Sequence, residues 1–282
     1  MIPCLQAMVL TILFLFVFCI AVLDLTTVAW VRRKAKRQAE RLFASRPSPD
    51  ALLQAEKKDL DKLPKPLQRY LQQSNVLEHH AVQTVRMRQK GALRSGPGKP
   101  WLPLEAKCFI NNQAFAGLVW HADVTQYFLA TRSILHTLMD SSANWEERIW
   151  GLPIPGSPSR RKYMQQQLLL EYCGFMAWHP GSWLNLGLHW QSLPNGDLHA
   201  QLSNPEAPAT LTLHFDEEGL LRSLSGPIGA ETWTFSYLDF HSMQGILVPL
   251  KWSVQITRDG QTWTFLHGQV TDIALNSHYS WW

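Results

Sequence analysis

The stretch that most constrains this chain is Ala7 to Leu23, seventeen residues in which Thr11 is the only polar side chain and none is charged. Apolar character continues past Asp24 through Leu25 to Val31. A bilayer core asks for about 20 apolar residues in a helix. The sequence therefore predicts a transmembrane helix over residues 1–31, with everything after it tethered to a membrane. No Lys or Arg precedes the apolar run, and Cys19 follows Val17-Phe18 rather than small residues. Both argue for an uncleaved anchor over a signal peptide or a lipidated cysteine.

Charge is unevenly spread. Between Arg32 and Arg46 seven basic residues face one acid, Glu40, although the whole chain carries only +4. The rest is close to neutral. A nucleic-acid surface needs positive charge on the domain itself, so no nucleic-acid partner is expected. A basic cluster beside a span meets anionic headgroups and, by the positive-inside rule, places the following domain in the cytoplasm. Residues 32–79 read as a basic juxtamembrane and helical linker. Pro47 and Pro49 break the first helix, Asp50 can cap a second that Pro64 ends, and a short helix follows Pro66.

From residue 80 to 282 the pattern is mainly that of antiparallel strands. Val82, Thr84, Arg86 and Arg88 alternate with Gln83, Val85, Met87 and Gln89. Strands are expected over 104–110 and 114–122 around Asn111-Asn112. Tyr127 to Met139 fits neither a helical nor a strand period, and Trp150 to Pro158 reads as loop. Ser159 can cap a helix near 160–177, within a helical insertion reaching about residue 186. The clearest alternation lies beyond it. Trp233, Phe235, Trp252, Val254 and Trp263 fall on one face, and Thr232, Thr234, Thr262 and Thr264 on the other, with a tight turn at Asp259-Gly260. Cys108 and Cys173 lie in apolar surroundings without metal-ligand spacing, which suits buried thiols and leaves a disulfide between them open.

Several short runs carry a resemblance: Leu63-Pro64 with Gln68-Arg69-Tyr70-Leu71, Val119-Trp120-His121-Ala122, Glu171 with Trp178-His179-Pro180, Leu213-His214-Phe215-Asp216, and Val248-Pro249 with Trp252. Over roughly residues 63–270 the chain resembles a bacterial membrane-anchored family of uncharacterised proteins, a domain of unknown function. Where that family has Arg-Tyr-Leu before its Glu, this chain has Gln167-Leu168-Leu169. The resemblance brings no activity with it, and implies a bacterial inner-membrane location. The element order is also similar to the half-barrel of the periplasmic lipoprotein carrier. The fold class expected is thus α+β: a transmembrane helix, then a curved, mostly antiparallel sheet with inserted helices.

Glu171 follows Leu168-Leu169-Leu170, and a carboxylate among apolar neighbours is a candidate acid or base, with His179 or His121 as partner. The plainer alternative is a structural ion pair. His121 and Asp123 share one strand face, but His179, His189 and His199 add no ligand spacing, so no metal site is expected. Nucleophile-elbow, Walker and dinucleotide fingerprints are missing, and no cofactor is expected. Thirteen Trp residues offer another reading. A curved sheet under a helical lid leaves an apolar pocket, and Trp120, Trp178, Trp183 and Trp252 are the residues expected to line it. They could equally fill the core. The leading reading is binding of a membrane lipid or another hydrophobic small molecule. A membrane-associated hydrolase or transferase and a structural or protein-interaction module stand as alternatives.

Overall fold

The computed structural model describes residues 2–44, 60–77, 82–112, 116–127, 130–139, 142–155, 158–184, 188–202 and 209–277. Helix α1 (Ile2–Ala44) runs unbroken because no Gly or Pro interrupts it between Cys4 and Ala44. At about 1.5 Å per residue it extends roughly 65 Å. The helix expected from Asp50 falls mostly outside the described residues. The chain resumes with a 3-10 turn at Leu60–Lys62 and helix α2 (Lys65–Gln73).

Strands β1 (Thr84–Leu93), β2 (Leu102–Asn112), β3 (Ala116–Tyr127), β4 (Ala130–Met139), β5 (Ser142–Ile149) and β6 (Leu152–Pro153) form a first meander. Helix α3 (Pro158–Phe175) follows, with 3-10 turns at Met176–Trp178 and Pro180–Leu184. A second meander comprises β7 (Leu188–Ser192), β8 (Leu198–Leu202), β9 (Ala209–Phe215), β10 (Leu221–Ile228), β11 (Glu231–Met243), β12 (Ile246–Arg258) and β13 (Gln261–Leu275). All pairings are antiparallel, and β1 pairs with β13. One thirteen-stranded sheet results, ordered β6-β5-β4-β3-β2-β1-β13-β12-β11-β10-β9-β8-β7. The fold is the α+β arrangement of an apolar N-terminal helix and an antiparallel sheet with inserted helices.

The two faces of the first meander bury different things. Cys108, Ile110, Leu118, Trp120, Ala122, Ile134 and Leu138 join the main core beneath α3. The alternate residues Phe109, Val119 and Leu135 pack against Val31, Ala35, Ala39, Leu42 and Phe43 of α1. The small side chains of Ala35 and Ala39 let the helix approach the strands closely. This double coverage explains why residues 127–139 show no period in the sequence. From Ser133 to Thr137 every residue of β4 is buried, on one face or the other, as in a central strand covered on both sides.

Docking of α1 changes the picture of the basic linker. Arg32 bonds Asp123 at 2.8 Å, Lys34 pairs with Glu146, and the Thr131 N–H donates to the Asp24 carboxylate at 2.9 Å. Arg33, Lys36, Arg37 and Arg41 stay exposed. Two further corrections concern boundaries. Asn111 and Asn112 lie within β2 rather than in a turn, and residues 152–153 form a strand instead of loop. Phe235, Trp252 and Val254 are buried, whereas Thr232 and Thr262 are exposed, which fixes the register of the second meander. Cys108 and Cys173 are buried free thiols, and burial pushes the Cys173 thiol up to about 12.

Candidate functional site

Helix α3 crosses the concave face of the sheet, and close contacts hold it there. A Cβ on Gly174 would meet the Phe235 ring at 2.6 Å, so only glycine lets the helix sit this deep. The Tyr237 hydroxyl donates to the Gly174 carbonyl at 2.6 Å, and Trp178 Nε1 to the Pro249 carbonyl at 2.6 Å. These bonds, with fully buried Tyr70 of α2, close one end of the space under the helix.

Beneath α3 a cavity of about 140 Å³ remains. Its second-meander wall is aromatic and aliphatic: Trp233 and Phe235 from β11, Trp252 and Val254 from β12, Phe265 and Leu266 from β13. Consecutive residues of β13 reach the same cavity because the register shifts between Val254 and Gln255 of the partner strand. The opposite wall is polar. His136 Nδ1 lies 2.9 and 3.0 Å from the two carboxylate oxygens of Glu171. The His136 ring is sandwiched between Trp120, at 4.9 Å, and Trp145, at 3.6 Å. Next to it, Arg132 donates to Glu147 at 2.6 and 3.0 Å, and Trp145 Nε1 donates to the same carboxylate at 2.7 Å.

Glu147 is therefore fully engaged, as a buried carboxylate must be. His136 is not. With Nδ1 donating to Glu171, its buried Nε2 has no hydrogen-bond partner, and neither has the buried Nε1 of Trp252 across the cavity. The cavity continues into a wider cleft of about 520 Å³, lined by Tyr163, Ile228, Ile256 and Trp263 and sharing Ser95, Trp145, Gln167, Trp233 and Phe265.

The residues singled out from sequence separate here. Trp120, Trp252 and Glu171 line the cavity. Trp178 and Trp183 do not: Trp178 is wholly buried against Phe175, Tyr237 and Trp252, and Trp183 packs edge-on to Trp190. The lid expected from Leu168 to Trp190 contributes Glu171 and Phe175 to the lining, with Gln167 just before it. His179 is buried and bonded elsewhere, not to Glu171. Its Nε2 donates to the Val82 carbonyl at 2.6 Å and its Nδ1 meets the Ser182 hydroxyl, and burial lowers its pKa to about 4. His121 lies on the α1 face of β3 beside Asp123, at 3.3 Å. Arg32, Ser133 and His121 together hold the Asp123 carboxyl at about 2 against the opposing effect of burial. His189 of β7 and His199 of β8 lie two register positions apart on one face of a strand pair, and among the described residues no three histidine, cysteine or carboxylate side chains gather.

Sequence reasoning missed His136, Arg132, Trp145 and Glu147. A faint signal existed, since Arg132, Ile134 and His136 alternate, as do Trp145 and Glu147. In β4 it was masked by the equally apolar residues between.

A sequence profile described as a family of unknown function, DUF6544, matches residues 53–268. A search of curated proteins gave no match. Among solved structures, an outer membrane lipoprotein-sorting protein domain from Vibrio parahaemolyticus superposes with a TM-score of 0.44 at 9% identity, covering 75% of this chain and 93% of that one. A DUF1329 family protein from Desulfovibrio piger gives 0.39 at 8% identity, with 83% and 96% covered. A LolA superfamily protein from Nitrosomonas europaea gives 0.37 at 11% identity, with 75% and 94% covered.

Proposed function

The chain belongs to the DUF6544 family, and from that premise we propose that it is a single-span membrane protein whose sheet binds a lipid or another hydrophobic small molecule at the membrane surface. The observation that carries this reading is the cavity under α3, with an aromatic wall facing a polar one. A cavity of about 150 Å³ is large enough for a benzene-sized molecule, and the adjoining cleft gives room for more. The polar side chains among the cavity lining, Arg132, His136, Glu147 and Glu171, suit an amphiphile bearing a polar group. Helix α1 supports the anchor: it carries an apolar stretch long enough to cross a bilayer, and that stretch is almost wholly exposed. The exposed Arg33, Lys36, Arg37 and Arg41 favour a domain on the cytoplasmic side of a bacterial inner membrane.

Mass spectrometry of amphiphiles that co-purify with the full chain tests the reading. A species retained by the wild type and depleted in Trp233→Ala is expected. Identical lipids in identical amounts from both would sink it.

The pairing of Glu171 with His136 sustains a second reading, a membrane-associated hydrolase or transferase in which His136 Nε2 moves a proton and Glu171 orients the ring. Turnover abolished in Glu171→Gln, with ligand retained, would favour it over simple binding.

A further inference from the structure

We propose that the open end of the cavity is applied to the bilayer surface, so that the ligand passes between cavity and membrane without crossing bulk water. This rests on the reading of α1 as a span, and adds to it an orientation and a docking surface.

The argument starts from where α1 meets the sheet. Asp24 caps the first residues of β4 through the Thr131 N–H. A Cβ on Gly151, in the turn after β5, would lie 3.4 Å from Thr27 Oγ1. The start of β4 and the β5–β6 turn thus flank residues 24–27, where the exposed apolar run of α1 ends at Leu25. If that run spans the bilayer, this edge of the sheet lies at its surface.

Beyond α1, the large hydrophobic side chains exposed among the described residues are Trp101, Tyr127, Trp150, Leu152 and Leu238. The first four belong to this one edge. Tyr127 pairs with Ala130, Ile149 with Leu152, and Trp101 immediately precedes β2, whose Leu104 pairs with Val124. Trp30, on α1 itself, stacks under Arg148 at 4.5 Å at the same level. Aromatic and apolar side chains beside basic ones are what a membrane interface selects.

The cavity opens toward this edge. Helix α3 begins here, with Tyr163 beside Gly229 in the β10–β11 turn, and the cleft is lined by Ser95 and Ala230 from loop and turn positions and by Arg258 at the end of β12. The opposite end is the one closed by Trp178, Tyr237 and Tyr70.

The test uses the full chain in vesicles of phosphatidylethanolamine and phosphatidylglycerol, with Cys4 and Cys19 replaced by Ser. A polarity-sensitive fluorophore is attached through Leu152→Cys or, as control, Leu238→Cys, which lies about 20 Å along β11 from that edge. Lipids carrying a nitroxide at the headgroup should quench the Leu152 label several-fold more than the Leu238 label. Equal, weak quenching in protein that floats with the vesicles and resists alkaline extraction would overturn the docking while leaving the anchor intact. Protein that fails to float would remove the anchor reading and this inference together.

Discussion

His136 and Glu171, thirty-five residues apart, meet at 2.9 Å between β4 and α3. Their hydrogen bond ties the polar side of the first meander to the helix covering the cavity. Their side chains are 5% and 13% exposed, so removing either leaves the other poorly solvated. His136→Ala and Glu171→Ala should each destabilise the fold, and the double substitution should cost less than the sum. A coupling of about 1–3 kcal/mol by urea denaturation is expected. Additive losses would mean that the pair is not an energetic link.

Two tryptophans should separate folding from binding. Trp178 is fully buried with its N–H bonded to Pro249, so Trp178→Ala should cost about 3–5 kcal/mol of stability. Trp233 is half-buried at the junction of cavity and cleft. Trp233→Ala should leave the domain folded while weakening a bound hydrophobic ligand by about 1–3 kcal/mol. Thermal melts and titration with a fluorescent fatty acid read the two effects.

Stability should fall as pH drops below neutral, because of His179. Burial lowers its folded-state pKa to about 4 from 6.5. Between these values the unfolded chain binds a proton that the folded one excludes. The contribution is complete above pH 6.5 and lost on acidification toward pH 4, about 3 kcal/mol in all. His179→Gln should flatten the denaturation midpoint across that window. An unchanged slope would assign the acid sensitivity to other groups.

The seam between the meanders depends on glycine. Gly91 of β1 stands opposite Gly268 of β13, and a Cβ at Gly91 would lie 2.0 Å from the His267 carbonyl oxygen. Backbone would have to move, so Gly91→Ala should cost about 1–3 kcal/mol and lower the denaturant midpoint. A substitution without effect would show that the seam can open.

By itself the sequence determined the elements whose signal is local. Ala7–Leu23 reads as an apolar helix because all of its residues but Thr11 are apolar, and Trp233, Phe235, Trp252 and Val254 share a face because side chains alternate along a strand. Glu171 was legible as unusual from its neighbours alone. Tertiary structure decided what depends on partners distant in the chain. It joined β1 to β13, turned Arg32 and Lys34 from a free basic arm into bonds with Asp123 and Glu146, and gave Glu171 the partner His136 in place of His179. It also sent Trp178 into the core and left Trp120 and Trp252 on the cavity wall. An apolar residue is driven out of water equally by a core and by a cavity lining, so composition cannot separate them. Only the packing of α3 across the sheet leaves space at one site and fills it at the other.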